Sequence, residues 1–161
     1  AAVLAASEEF NLDPRLLLAT LAHESHFDVG ANAGNGKGLG QVTSPARQEL
    51  GRISKGGSNG HRARVTKDTY ARLRSPQARQ LFNTVNSSNS KTRNQALLSI
   101  KPNVRTSAAY LRVMLDIKRG DVSNALSDYN GSGGAIQRAY PGKVGDAYED
   151  IWGDSIPDQI S

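Results

Sequence analysis

The chain has 161 residues, a formal net charge of +5 and no cysteine. That length fits one domain with a buried core, and the missing cysteines exclude disulfides and thiolate metal sites. No run of about 18 apolar residues offers a membrane-spanning helix, and the start at Ala1, without the basic segment of a signal peptide, suggests a mature fragment or an excised domain.

Taken in chain order, Val3 to Phe10 reads as a short helix. Asp13 can cap a second helix and Pro14 fits its first turn, where a missing N–H is harmless. That helix runs to Ser25, and at about 100° per residue Leu17, Leu21 and Glu24 fall within roughly 60° of one another. Glu24 is thus aimed along the apolar stripe, where a carboxylate is unfavourable without a partner or a task. A carboxyl in a partly apolar cleft has a raised pKa and can donate a proton near neutral pH. Phe27 to Val42 carries glycines at 30, 34, 36, 38 and 40, which predicts a loop with at most a brief β-like turn.

Ser44-Pro45 opens a third helix that Gly51 should end, and 52–61 is rich in Gly and Ser and reads as a mobile loop. Thr66 and Ser75 resemble caps for helices near 67–73 and 76–86, followed by a polar loop over 86–93. Val104, Ala108, Leu111 and Leu115 recur at spacings of four, three and four, which predicts a core helix from about Pro102 to Lys118, stopped by Gly120. Asp121 then caps a helix ending in Tyr129-Asn130-Gly131, and a last helix is expected from Val144 to Trp152. The reading is a single, mainly all-α domain over 1–161 with a basic insert at about 52–100.

Charge is unevenly spread. Between Arg47 and Arg93 eleven basic residues face only Glu49 and Asp68, while the rest of the chain is net acidic. A basic middle on an acidic frame attracts polyanions, among them anionic cell-envelope polymers, nucleic acid and lipid headgroups. No groove-reading motif or aromatic stacking platform accompanies it, so no specific nucleic-acid partner is expected.

His23-Glu24-Ser25-His26 fails as a metal motif, because the two histidines are three apart and a zincin pair is four apart on one helix face. No metal and no cofactor are expected. Ser25 lies in no nucleophile-elbow context, and Gly34-Asn35-Gly36-Lys37-Gly38 lacks the preceding strand of a phosphate loop. Asp28 reads as a turn residue.

Four ordered motifs remain: Glu24-Ser25-x-Phe27, Gly38-Leu39-Gly40-Gln41, Asn103-Val104-Arg105 leading to Tyr110-Leu111, and Ala125-Leu126-Ser127-Asp128-Tyr129-Asn130-Gly131. Together they resemble the catalytic domain of the soluble lytic transglycosylases, which share the goose-type lysozyme fold, over roughly residues 10–51 and 101–151. The chain departs from that family in having Gly40 where Gly-Leu-Met-Gln has methionine. It also has Ala33 and Gly34 where a serine often meets the substrate's acetamido group, and Asp128-Tyr129-Asn130-Gly131-Ser132 in place of Ala-Tyr-Asn-Ala-Gly.

The resemblance implies a lysozyme-like fold and cleavage of peptidoglycan glycan strands between MurNAc and GlcNAc in the bacterial cell envelope. Glu24 is the implied acid and base, Tyr129 the hydroxyl reaching its carboxyl, and Gln41 and Asn130 contacts to the sugar. Ser25, Thr43 and Tyr148 are further substrate candidates. Glycosidases commonly use two carboxyls, whereas this family is understood to use one, closing a 1,6-anhydro ring without consuming water. A hydrolytic goose-type lysozyme and a non-catalytic polyanion-binding module are the alternatives.

Overall fold

The structure, a computed structural model, describes residues 1–57 and 64–160. The end of the loop predicted over 52–61, and the basic residue Arg62, therefore lie outside the described residues. Those described form helices α1 (Ala2–Glu9), α2 (Pro14–Ser25) and α3 (Ser44–Ser54), then α4 (Lys67–Leu73), α5 (Pro76–Val85) and α6 (Ser90–Leu97). Helices α7 (Ile100–Ile117), α8 (Val122–Asn130) and α9 (Gly134–Trp152) complete the chain. The strands β1 (Asn32–Ala33) and β2 (Gly36–Lys37) pair antiparallel, Asn32 opposite Lys37 and Ala33 opposite Gly36. The fold is mainly helical, as the composition and periodicity imply.

Caps set most helix starts. The side chains of Asp13, Thr43, Thr66, Ser75, Asn89 and Asp121 each accept a backbone N–H of the first turn, and satisfying such an orphan donor is worth about 1 kcal/mol. Three predicted boundaries move. Helix α3 continues through Gly51 to Ser54, because Leu50 and Ile53 are fully buried and hold the extra turn. Asn89 starts a helix inside the predicted polar loop. Helix α9 begins at Gly134, ten residues before the predicted Val144, and carries Pro141 within it.

Helix α7 runs through the centre and packs against α1, α3, α4, α5, α6 and α8, while α9 lies against α2 and α8. Val104, Ala108, Leu111 and Leu115 are buried, as their spacing implies. Arg112 and Asp116 form a buried ion pair at 2.9 Å, and Arg112 also donates to the Asn11 carbonyl at 2.9 Å. Arg105 grips Glu9 through two bonds of 2.7 Å, fastening α1 to α7. Among the described residues no helix is long and apolar enough to cross a membrane.

Candidate active site

Helix α2 ends at Ser25, one residue after Glu24. His26 and Phe27 both take left-handed φ values, 51° and 63°, which turn the chain away from the helix axis. Asp28 then accepts the Gly30 N–H at 2.9 Å, a turn contact that fits its structural reading. Leu17 and Leu21 are buried on the face that bears Glu24. The Glu24 carboxyl lies in the wall of a cleft of about 580 Å³. The glycine loop contributes Gly36, Gln41 and Thr43 to the other walls, α7 contributes Ser107 and Tyr110, and the end of α8 contributes Asp128, Tyr129 and Asn130.

Burial pushes the Glu24 carboxyl up to about 7, and a hydrogen bond from Tyr140 pulls the other way. The Tyr140 hydroxyl donates to Glu24 Oε1 at 2.6 Å. This corrects the expected partner: the Tyr129 hydroxyl instead donates to the Gly40 carbonyl at 3.0 Å. The reason is the early start of α9, which brings Tyr140 across the end of α2. Tyr129 still lines the cleft, and its ring stacks on Tyr140 with centroids 6.4 Å apart. Tyr110 packs on Tyr129 at 5.6 Å, and His23 meets Tyr140 edge-on at 5.1 Å. A row of rings thus backs the carboxyl and keeps its surroundings apolar. Burial and the Glu24 charge both push the Tyr129 and Tyr140 phenols up, so both are proton donors at neutral pH.

Among the other sequence candidates, Gln41, Thr43 and Asn130 reach the cleft. Gln41 Nε2 donates to the Gly38 carbonyl at 2.8 Å, Thr43 caps α3, and Asn130 Oδ1 accepts from the Ser132 N–H at 3.1 Å. Ser25 and Tyr148 do not line it, which corrects both expectations. The Ser25 hydroxyl is buried and turned back onto the Leu21 carbonyl at 3.2 Å. Tyr148 is in the core, where α9 faces its neighbours. His26 is exposed and His23 half-buried against Tyr140.

Residues to which the sequence gave no role of their own hold the site together. Asn103, fully buried on α7, accepts the Gly40 N–H at 2.8 Å and donates to the Lys37 and Leu97 carbonyls at 2.7 Å each. One amide side chain thereby fixes both ends of the loop's last turn. Gly40 sits where any Cβ would meet the Ser107 hydroxyl at 1.8 Å, so the loop can press onto α7 only with glycine there. Asp128 places a second carboxyl on the cleft, paired with Lys118 at 3.2 Å. Tyr140 had a signal in the four-residue spacing of Tyr140, Val144 and Tyr148, masked by the breakers Gly133, Gly134 and Pro141.

The arrangement can hold a proton near neutral pH at one cleft wall and release it to an atom bound beside it. Tyr140 then supports the carboxylate left behind. Comparison with protein-family models, curated proteins and solved structures finds no match to this chain.

Proposed function

We propose that this chain is a peptidoglycan lytic transglycosylase with a lysozyme-like helical domain, acting in the bacterial cell envelope on the β-1,4 bond between MurNAc and GlcNAc. The supporting observation is one carboxyl, raised to about 7, set in the wall of an open cleft and bonded by a phenol. The order and spacing of the four motifs supply the substrate class. Glu24 gives its proton to the glycosidic oxygen as the C1–O bond breaks, and the substrate's own acetamido oxygen attacks C1 in place of a protein nucleophile. The resulting carboxylate takes the proton of the muramyl C6 hydroxyl, whose oxygen bonds to C1 and releases the acetamido group. No water is added, and Glu24 ends protonated as it began.

Glu24→Gln should lower cleavage of purified peptidoglycan at least roughly 10²-fold to 10⁴-fold, the contribution of a general acid. Full turnover by that variant would end the proposal. Mass spectrometry of the wild-type products separates the chemistries, because anhydro ends lack the water that hydrolysis adds. Asp128 on the same cleft gives the hydrolytic reading a specific observation of its own, since a second carboxylate can position water. Reducing ends in place of anhydro ends would favour it.

A further inference from the structure

Beside the cleft lies a second, smaller pocket of about 220 Å³ whose walls carry three cations: Lys37 from β2, Arg47 from α3 and Arg93 from α6. All three are half-buried. Their hydrogen-bond acceptors are neutral. Lys37 Nζ donates to Asn32 Oδ1 at 2.7 Å, and Arg47 donates to Asn86 Oδ1 at 3.0 Å and Ser44 Oγ at 2.9 Å. Arg93 donates to the Ser87 carbonyl at 2.8 Å. Among the described residues none of the three is ion-paired with a carboxylate. These bonds aim the cations and leave their charge uncompensated. Burial, and after it the neighbouring Arg93 charge, push the Arg47 guanidinium down.

Such a cluster is unfavourable for folding alone, yet three separate elements converge to build it. Most of the five N–H donors on each guanidinium remain available, and that fork matches the oxygens of a carboxylate or phosphate. Asn35 and Val42 line both this pocket and the cleft that holds Glu24, so the two are continuous along one surface.

We propose that the Lys37–Arg47–Arg93 pocket binds an anionic oxygen group, carboxylate or phosphate, on the polymer that occupies the neighbouring cleft. The identity of that polymer rests on the function proposed above; the anion site does not. A carboxylate would come from a peptide substituent on the glycan, a phosphate from an anionic polymer joined to the wall.

The test is titration of the whole chain with inorganic phosphate and with acetate, followed by NMR at the arginine side-chain N–H resonances. Saturable shifts at Arg47 and Arg93 are expected. Arg93→Gln should weaken binding roughly 10-fold, as loss of a charge-assisted bond does, and Arg93→Lys should restore part of it. Lys37→Gln removes charge at a side chain that, among the described residues, bonds only to Asn32, so it serves if the arginine variant folds poorly. No saturable shift, or equal affinity in the folded variants, overturns the site.

Activity then identifies the source. A roughly 10-fold rise in KM for Arg93→Gln on stem-bearing glycan, absent on stem-free glycan, assigns a carboxylate. A rise confined to walls carrying phosphodiester polymer assigns a phosphate. No rise on either overturns the link to the polymer. Glu24→Gln protein should bind phosphate as wild type does. If it does while wild type cleaves no glycan, the proposed function fails and the anion site stands.

Discussion

Glu24 and Tyr140 make one unit, and the physics of the pair gives two measurable consequences. The hydrogen bond from Tyr140 lowers the Glu24 pKa against the larger raising effect of burial. Tyr140→Phe should therefore move the alkaline limb of the activity profile to higher pH. It should also reduce the maximal rate roughly 10-fold to 100-fold, because a hydrogen bond to a charged group is worth about 1.5–3 kcal/mol. Tyr129→Phe should leave that limb in place and lower stability by about 1 kcal/mol, since its hydroxyl serves the Gly40 carbonyl. If Tyr129 alone moves the limb, the assignment of partners is wrong. The second consequence needs no substrate. Glu24 holds its proton up to about pH 7 in the fold and releases it near 4.5 when unfolded. The native state therefore binds more protons across that window, and stability falls as pH rises through it. At about 1.4 kcal/mol for each pH unit of separation the penalty above pH 7 is on the order of 3 kcal/mol, an upper figure because the cleft admits water. Gln has no charge to bury, so thermal melts of Glu24→Gln should be higher than wild type at pH 8 and nearly equal at pH 4. Equal melts at both would mean that the carboxyl is not desolvated.

Elements bring these residues together, and they were unequally legible in the sequence. The helix bearing Glu24 was readable from end to end, because Asp13, Pro14 and the apolar spacing act within one segment. So was the core face of α7. Helix α9 was not: Gly133, Gly134 and Pro141 argue locally against a helix, and only packing on α2 and α8 outweighs them. Tyr140, the phenol that meets Glu24, lies on that unread first half of α9, whereas the resemblance implied Tyr129 in its place; Tyr148, on the half that was read, is buried in the core. The glycine loop was readable as a loop, but not its attachment, since Asn103 lies more than sixty residues away. That attachment is testable through the contact between loop and helix. Gly40→Ala sets a Cβ against Ser107 and should destabilise by about 1–3 kcal/mol, the usual effect of overpacking. Trimming the opposing side chain with Ser107→Gly in the same chain should recover part of that loss, less the penalty of a glycine within α7. Denaturation midpoints of the two single variants and the double variant give the coupling directly. Simple additivity would show that the loop does not press on α7 at this point.

Over the whole molecule the question is what the basic middle does for a domain whose acid sits elsewhere. Part of its charge is spent internally: Arg52 pairs with Glu49, Arg72 with Asp68 and the carbonyls of Glu8 and Glu9, and Arg74 lies over the Tyr70 ring. Arg47 and Arg93, the two ends of the basic stretch in sequence, meet beside the cleft. The long-range field of a net +5 chain would gather polyanions without orienting them, while the proposed anion pocket would act at contact. These two effects respond differently to salt. The field is screened over about 8 Å at physiological ionic strength, whereas half-buried charges are screened much less. Raising salt from about 10 mM, where the screening length is about 30 Å, to about 1 M, where it is about 3 Å, should slow cleavage of whole anionic walls. Cleavage of short, uncharged glycan fragments should change little over the same range. Rates that stay flat on both substrates would remove any electrostatic part for the basic middle in reaching the proposed polymer. A fall on both alike would place the salt effect on the cleft itself, which Asp128 lines while paired with Lys118.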